Sequence, residues 1–127
     1  MSGPCRTYAR VGVPDLHEVS LGPSAGFLTG RLKVPSDLPV FRDHFPGVAI
    51  VPGVVQLGWV IELTHRHGLS TEPFVGIDFV KFRRIVVPGA ELHARIERGS
   101  TRAEIEFEFS WPHALVSCGR LVFGVSD

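Results

Sequence analysis

Phe41-Arg-Asp-His-Phe-Pro-Gly-Val-Ala-Ile-Val-Pro-Gly-Val-Val-Gln-Leu-Gly58 joins a Pro/Gly-rich loop to the start of an apolar segment. His44 lies in the loop and Pro52-Gly53 opens the segment. Residues 53–67 read as a helix, with Pro52 near the start and Gly68 just past the end, the usual Pro-first, Gly-last asymmetry. His65, Arg66 and His67 suit the negative end of its dipole. Val54, Leu57 and Ile61, joined by Val60 and Leu63, predict a broad apolar face. Val55 and Trp59 leave the segment hydrophobic nearly all round, which marks a buried helix. The first N–H groups of such a helix have no intrahelical partner. An imidazole held beside them by a rigid loop would therefore sit next to donors able to stabilise a developing oxyanion. That is half of an acid–base site.

Outward from this stretch the pattern changes from helical to alternating. Residues 26–34 alternate apolar and polar and predict a strand. Pro35 ends it, and Pro35, Pro39, Pro46 and Pro52 make residues 35–52 irregular but stiff. After the helix come strands only. Residues 74–82 are apolar and Phe-rich, residues 91–97 alternate, and residues 103–109 follow a strict period of two with glutamates on the wet face. Residues 114–125 form a last strand after a break at Pro112-His113. Pro88-Gly89 and Gly99-Ser100 read as turns. One strand, one buried helix and four strands at hairpin spacing predict an α+β domain, an antiparallel sheet wrapped around a central helix. Residues 1–12 read as a loosely ordered lead-in, and 1–127 as a single domain.

The bulk composition fits that reading. The chain of 127 residues is 44% hydrophobic and 20% charged, ordinary for a globular protein with a real core. Thirteen basic residues balance thirteen acidic ones, which favours neither nucleic acid nor an anionic membrane. Cys5 and Cys118 form no CxxC motif and read as free thiols in a reducing compartment. The N-terminus carries no apolar signal-peptide core, and charges interrupt every apolar run, so the cytoplasm is expected and no membrane span is. His17, His65, His67, His93 and His113 show no metal-ligand spacing, so no metal is expected; the reading as a whole calls for no cofactor.

Three stretches carry a family resemblance. They are His44-Phe-Pro-Gly-Val-Ala-Ile-Val-Pro-Gly-Val-Val-Gln-Leu57, Val80-Lys-Phe-Arg-Arg-Ile-Val-Val-Pro-Gly-Ala90 and Ser117-Cys-Gly-Arg-Leu-Val-Phe123. The first resembles the HFPGxPxxPGVLxxE loop and helix start of the hotdog-fold β-hydroxyacyl-ACP dehydratases of the FabA/FabZ type. The second resembles that family's KFRRPVxPGD strand and turn, and the third is similar to its closing strand. The Val-Val-Gln-Leu-x-Trp helix start is most similar to the ApeI-like subgroup, associated with aryl-polyene lipid synthesis.

The resemblance implies a dimer acting on a 3-hydroxyacyl thioester carried on acyl carrier protein. A histidine removes the α-proton, a carboxylate on the partner subunit's helix handles the departing hydroxyl, and backbone N–H groups hold the thioester carbonyl. His44 matches the histidine and Gly53 the helix-start glycine. Phe45, Gly47 and Gly58 fall among the oxyanion and substrate-binding positions. The carboxylate position itself is Gly58, which offers neither proton nor charge and costs about 1 kcal/mol in a helix interior. Glu62, one turn on, shares its face and could act in the carboxylate's place; equally, it could simply pair with Arg66. Asp43 reads as a cap on the loop backbone.

Arg83 and Arg84, with Arg66, are either a solvated surface or an electropositive rim for phosphopantetheine or the acidic carrier. Phe74, Phe79 and Phe82 can serve as core, tunnel wall or both. The expected function is therefore a 3-hydroxyacyl-ACP dehydratase of fatty-acid-type or aryl-polyene lipid synthesis. The alternative is a non-catalytic hotdog subunit that binds acyl carrier protein or pairs with an active homologue, as a homodimer, heterodimer or larger assembly. A hotdog thioesterase fits less well, because it too needs a polar or acidic helix residue.

Overall fold

Alternation decides the strands. In β5 (Glu104–Trp111), Ile105, Phe107 and Phe109 are buried and the glutamates between them reach solvent. In β4 (Glu91–Arg98), Leu92, Ala94 and Ile96 do the same. The computed structural model describes residues 14–22, 26–35, 50–101 and 103–124. Around these two strands it builds a six-stranded antiparallel sheet in the order β1-β2-β4-β5-β6-β3. The remaining elements are β1 (Leu16–Leu21), β2 (Phe27–Lys33), α1 (Gly53–Arg66), β3 (Phe74–Phe82) and β6 (Ala114–Phe123). The connection through α1 carries the chain from β2 to the far edge of the sheet. Trp59, Val60 and Leu63 of α1 join Leu28, Leu32, Ile96, Phe109 and Leu121 of the sheet in one core.

The α+β hotdog architecture is as the sequence predicts, with three corrections. First, two strands precede the helix rather than one. β1 was missed because its apolar residues, Leu16, Val19 and Leu21, break the period of two. A bulge between His17 and Ser20, with Glu18 at φ 54°, takes up the extra residue. Second, the buried stripe of α1 is rotated from the predicted one. Val55, Gln56, Trp59, Val60 and Leu63 are buried, Leu57 and Ile61 are half-buried, and Val54 is half exposed. Third, the helix ends at Arg66, and His67 forms its C-cap, donating its N–H to the Leu63 carbonyl at 3.0 Å while Gly68 N–H donates to the His65 carbonyl at 3.2 Å.

Candidate functional site at the start of the helix

The N-terminus of α1 is fixed by neighbours on both sides. Val51 N–H donates to the Val86 carbonyl at 2.8 Å. Pro52, in extended conformation, is the N-cap and supplies no side-chain cap; its carbonyl accepts from Val55 and Gln56 N–H at 3.1 and 3.2 Å. The end of β3 arrives beside this turn. Its register against β6 pairs Phe82 with Ser117, and the N–H groups of Arg83 and Arg84 both donate to the Val116 carbonyl. The Phe82 ring thereby lies against Gly53, so close that a Cβ there would stand 2.6 Å from ring carbons. Only glycine lets the aromatic ring and the helix start approach in this way. Phe82 and Val54 remain about half exposed, which leaves an open apolar surface next to the positive end of the helix dipole.

Behind that surface lies a polar contact that sequence reasoning missed. Gln56 is 2% exposed and Ser117 is fully buried. The Ser117 hydroxyl donates to Gln56 Oε1 at 2.9 Å, and Gln56 Nε2 makes a long 3.5 Å contact to the Val51 carbonyl. A glutamine inside an apolar helical run was the one available signal, and the predicted orientation of the helix face did not place it in the core.

Of the sequence-predicted site residues, His44, Phe45 and Gly47 lie outside the described residues, as do Asp43, Cys5 and the lead-in. Gly58 is buried in α1. One turn on, the half-buried Glu62 accepts from Arg66 Nη2 at 3.2 Å. That pair is partly open to solvent, and surface pairs of this kind hold by about 1 kcal/mol or less. Arg84 donates from Nη1 to the Leu115 carbonyl at 3.2 Å and places its guanidinium 5.9 Å over the Trp111 ring. Arg83 is exposed beside it, and so is Lys81 on the preceding strand. Arg66 does not join this basic rim within one chain, because the 14 residues of α1 put it about 20 Å along the axis from Gly53. Phe79 faces the outer side of the sheet under Arg120, and Phe74 packs edge-on against Phe123.

At the far end of the helix, burial lowers the pKa of His67, and the neighbouring Arg66 charge lowers it further. His65 Nε2 lies 2.7 Å from the Glu72 carbonyl. Among the described residues no group of three or more His, Cys, Asp or Glu side chains is placed to hold a metal ion. Nor is any described helix long and apolar enough to cross a membrane.

Residues 23–120 match the family model described as ApeI-like: ApeI dehydratase. The chain is 35% identical over 105 residues to the 3-hydroxyacyl-acyl-carrier-protein dehydratase FabZ of Alkaliphilus metalliredigens, covering 77% of this chain and 69% of that one. It is 39% identical over 105 residues to the FabZ of Thermomicrobium roseum, covering 77% and 68%. Its fold is similar to that in the dehydratase heterocomplex ApeI:P from Xenorhabdus doucetiae, with TM-score 0.79, 24% identity and coverage of 88% of this chain and 98% of that one. The chain belongs to the ApeI-like family of hotdog-fold dehydratases.

Proposed function

We propose that this protein dehydrates 3-hydroxyacyl thioesters presented by an acyl carrier protein, in fatty-acid-type or aryl-polyene lipid synthesis. The observation that carries the reading is the start of α1. There Gly53, packed under Phe82, opens the helix in a chain of dehydratase family, and its N–H is one of the helix-start donors that a thioester oxygen would take. In the reaction His44 takes the C2 proton. The released electron pair forms the C2–C3 double bond as the C3–O bond breaks, and the hydroxyl leaves as water with the carboxyl proton of Glu62. Proton transfer from the His44 imidazolium through solvent to the Glu62 carboxylate resets the site. Gly53 N–H holds the thioester oxygen while charge accumulates on it, and Phe45, Gly47 and Gly58 bound the acyl path. For Glu62 to act it must leave Arg66, which at a surface pair costs no more than about 1 kcal/mol. Arg83 and Arg84 receive the phosphopantetheine or the acidic carrier. We place the protein's action in the cytoplasm; among the described residues Cys118 has no disulfide partner.

Gly58 and the Glu62–Arg66 pair favour a second reading, a non-catalytic subunit that partners an active dehydratase. Enoyl-thioester formation from a 3-hydroxyacyl thioester separates the two. The wild type is expected to turn over, Glu62→Gln to lose about 10²-fold in kcat, and Gly58→Asp to gain nothing. A silent wild type, with turnover appearing only in Gly58→Asp, would establish the second reading instead.

The assembly we propose is a homodimer through β3. The opposite edge strand, β1, is the shorter, 6 residues against 9 in β3. β3 instead ends the sheet with Val75, Ile77, Phe79 and Phe82 all more than 40% exposed, followed by Ile85 and Val87 in the same state. A long apolar edge of this kind is a template for another strand. Ile77→Lys is expected to convert the dimer to a monomer in analytical ultracentrifugation; an unchanged sedimentation coefficient would exclude β3 as the interface.

A further inference from the structure

We infer that Gln56 and Ser117 form a positioning pair that sets the helix start against the sheet for catalysis. The inference rests on the dehydratase reading, in which Gly53 N–H binds the thioester oxygen. Three features converge on it. The side chains bond to each other across the gap between α1 and β6, at 2.9 Å and away from solvent. Gln56 also reaches the carbonyl of Val51, the residue before the N-cap, whose own N–H is held by Val86. Ser117 is the register partner of Phe82, the ring that lies on Gly53. One buried polar link therefore ties together the residue preceding the cap, the first turn and the strand that brings the aromatic wall. Pro52 supplies no side-chain cap, and the Gln56 amide, which donates to the Val51 carbonyl, anchors the chain entering the helix instead. Its buried polar atoms act only in this arrangement, because a buried amide without partners is unfavourable. A donor displaced from the oxygen it serves loses much of its effect on rate even when the fold is intact.

Gln56→Met keeps the size and helix propensity of the side chain and removes both contacts. Hydrogen exchange at the Val51 and Val55 amides is expected to quicken about tenfold, with Val60 and Leu63 unchanged. For the wild type and this variant acting on a 3-hydroxyacyl thioester, kcat is expected to fall about tenfold with KM changed less than about twofold. Ser117→Ala moves both readouts in the same direction, and the double variant falls no further than Gln56→Met, since the two residues act as one unit. Unchanged exchange with unchanged kcat overturns the pair's role. So does faster exchange along the whole helix with kcat falling only as the folded fraction does, which would make the link a general stabiliser. If the wild type itself shows no turnover, the dehydratase reading fails, and the exchange pattern alone upholds or overturns the positioning.

Discussion

His44→Ala lowers dehydration by about 10²–10⁴-fold, the range associated with loss of a positioned general base. KM moves little, because the imidazole's contribution is made as the C2 proton leaves rather than when substrate binds. Hydration of the 2-enoyl thioester falls by the same factor, since an enzyme cannot shift the overall equilibrium. The pH profile separates a chemical role from a structural one. A general base works only in its unprotonated form, so the wild-type rate should fall on the acid side, and the variant should lose this limb. Measurement of enoyl-thioester formation between pH 5 and 9 tests both points. A loss smaller than tenfold, or a variant that keeps the acid limb, would remove His44 from the mechanism. The contrast with Glu62→Gln is informative. A larger loss at His44 than at Glu62 would fit proton abstraction as the harder half of the reaction, with the departing hydroxyl partly served by water.

The elements that sequence made legible are those whose patterning is local. β4 and β5 alternate without interruption, and β3 falls on residues 74–82 as expected because Pro73 and the Arg83-Arg84 pair delimit an apolar run. The start of α1 was equally plain, since Pro52-Gly53 precedes a run of apolar residues. β1 was not legible: one bulged residue near Glu18 shifts Val19 and Leu21 out of phase with Leu16, and a period of two cannot survive that insertion. The helix face failed differently. A segment apolar nearly all round carries little directional signal, so the sheet chooses which side is buried, and it took the side of Gln56 and Trp59. The Phe-rich strand shows the same limit. Phe74 faces the core edge, Phe79 the outer surface and Phe82 the helix start, a distribution set by register shifts after Phe74 and Ile77. In the site, Gly53 was legible through its motif and Gly58 as a departure from that motif. The Gln56–Ser117 link was not, because it joins residues 61 apart through pairing that only the folded sheet creates.

Trp59→Ala should produce a large loss of stability. Trp59 heads the fully buried side chains by volume and has no solvent exposure, packed between α1 and the sheet. Truncating such a residue costs about 3–5 kcal/mol in lost transfer energy and residual cavity. Against a total of about 5–15 kcal/mol, that is a large share. One term runs the other way: the indole N–H is buried without a hydrogen-bond partner among the described residues. Removing an unsatisfied donor returns about 1–3 kcal/mol. The cavity term is the larger, so the net loss for alanine is about 2 kcal/mol, a fall in Tm of roughly 5–10 °C for a chain of this size. Phenylalanine tests the decomposition, because it keeps most of the buried ring and discards the N–H. The two terms then nearly cancel, and Trp59→Phe should melt within about 4 °C of wild type. Thermal unfolding followed by circular dichroism on both variants gives the answer. A phenylalanine variant as unstable as the alanine one would mean that the indole N–H does have a partner, and that it belongs to the polar framework of the helix alongside Gln56.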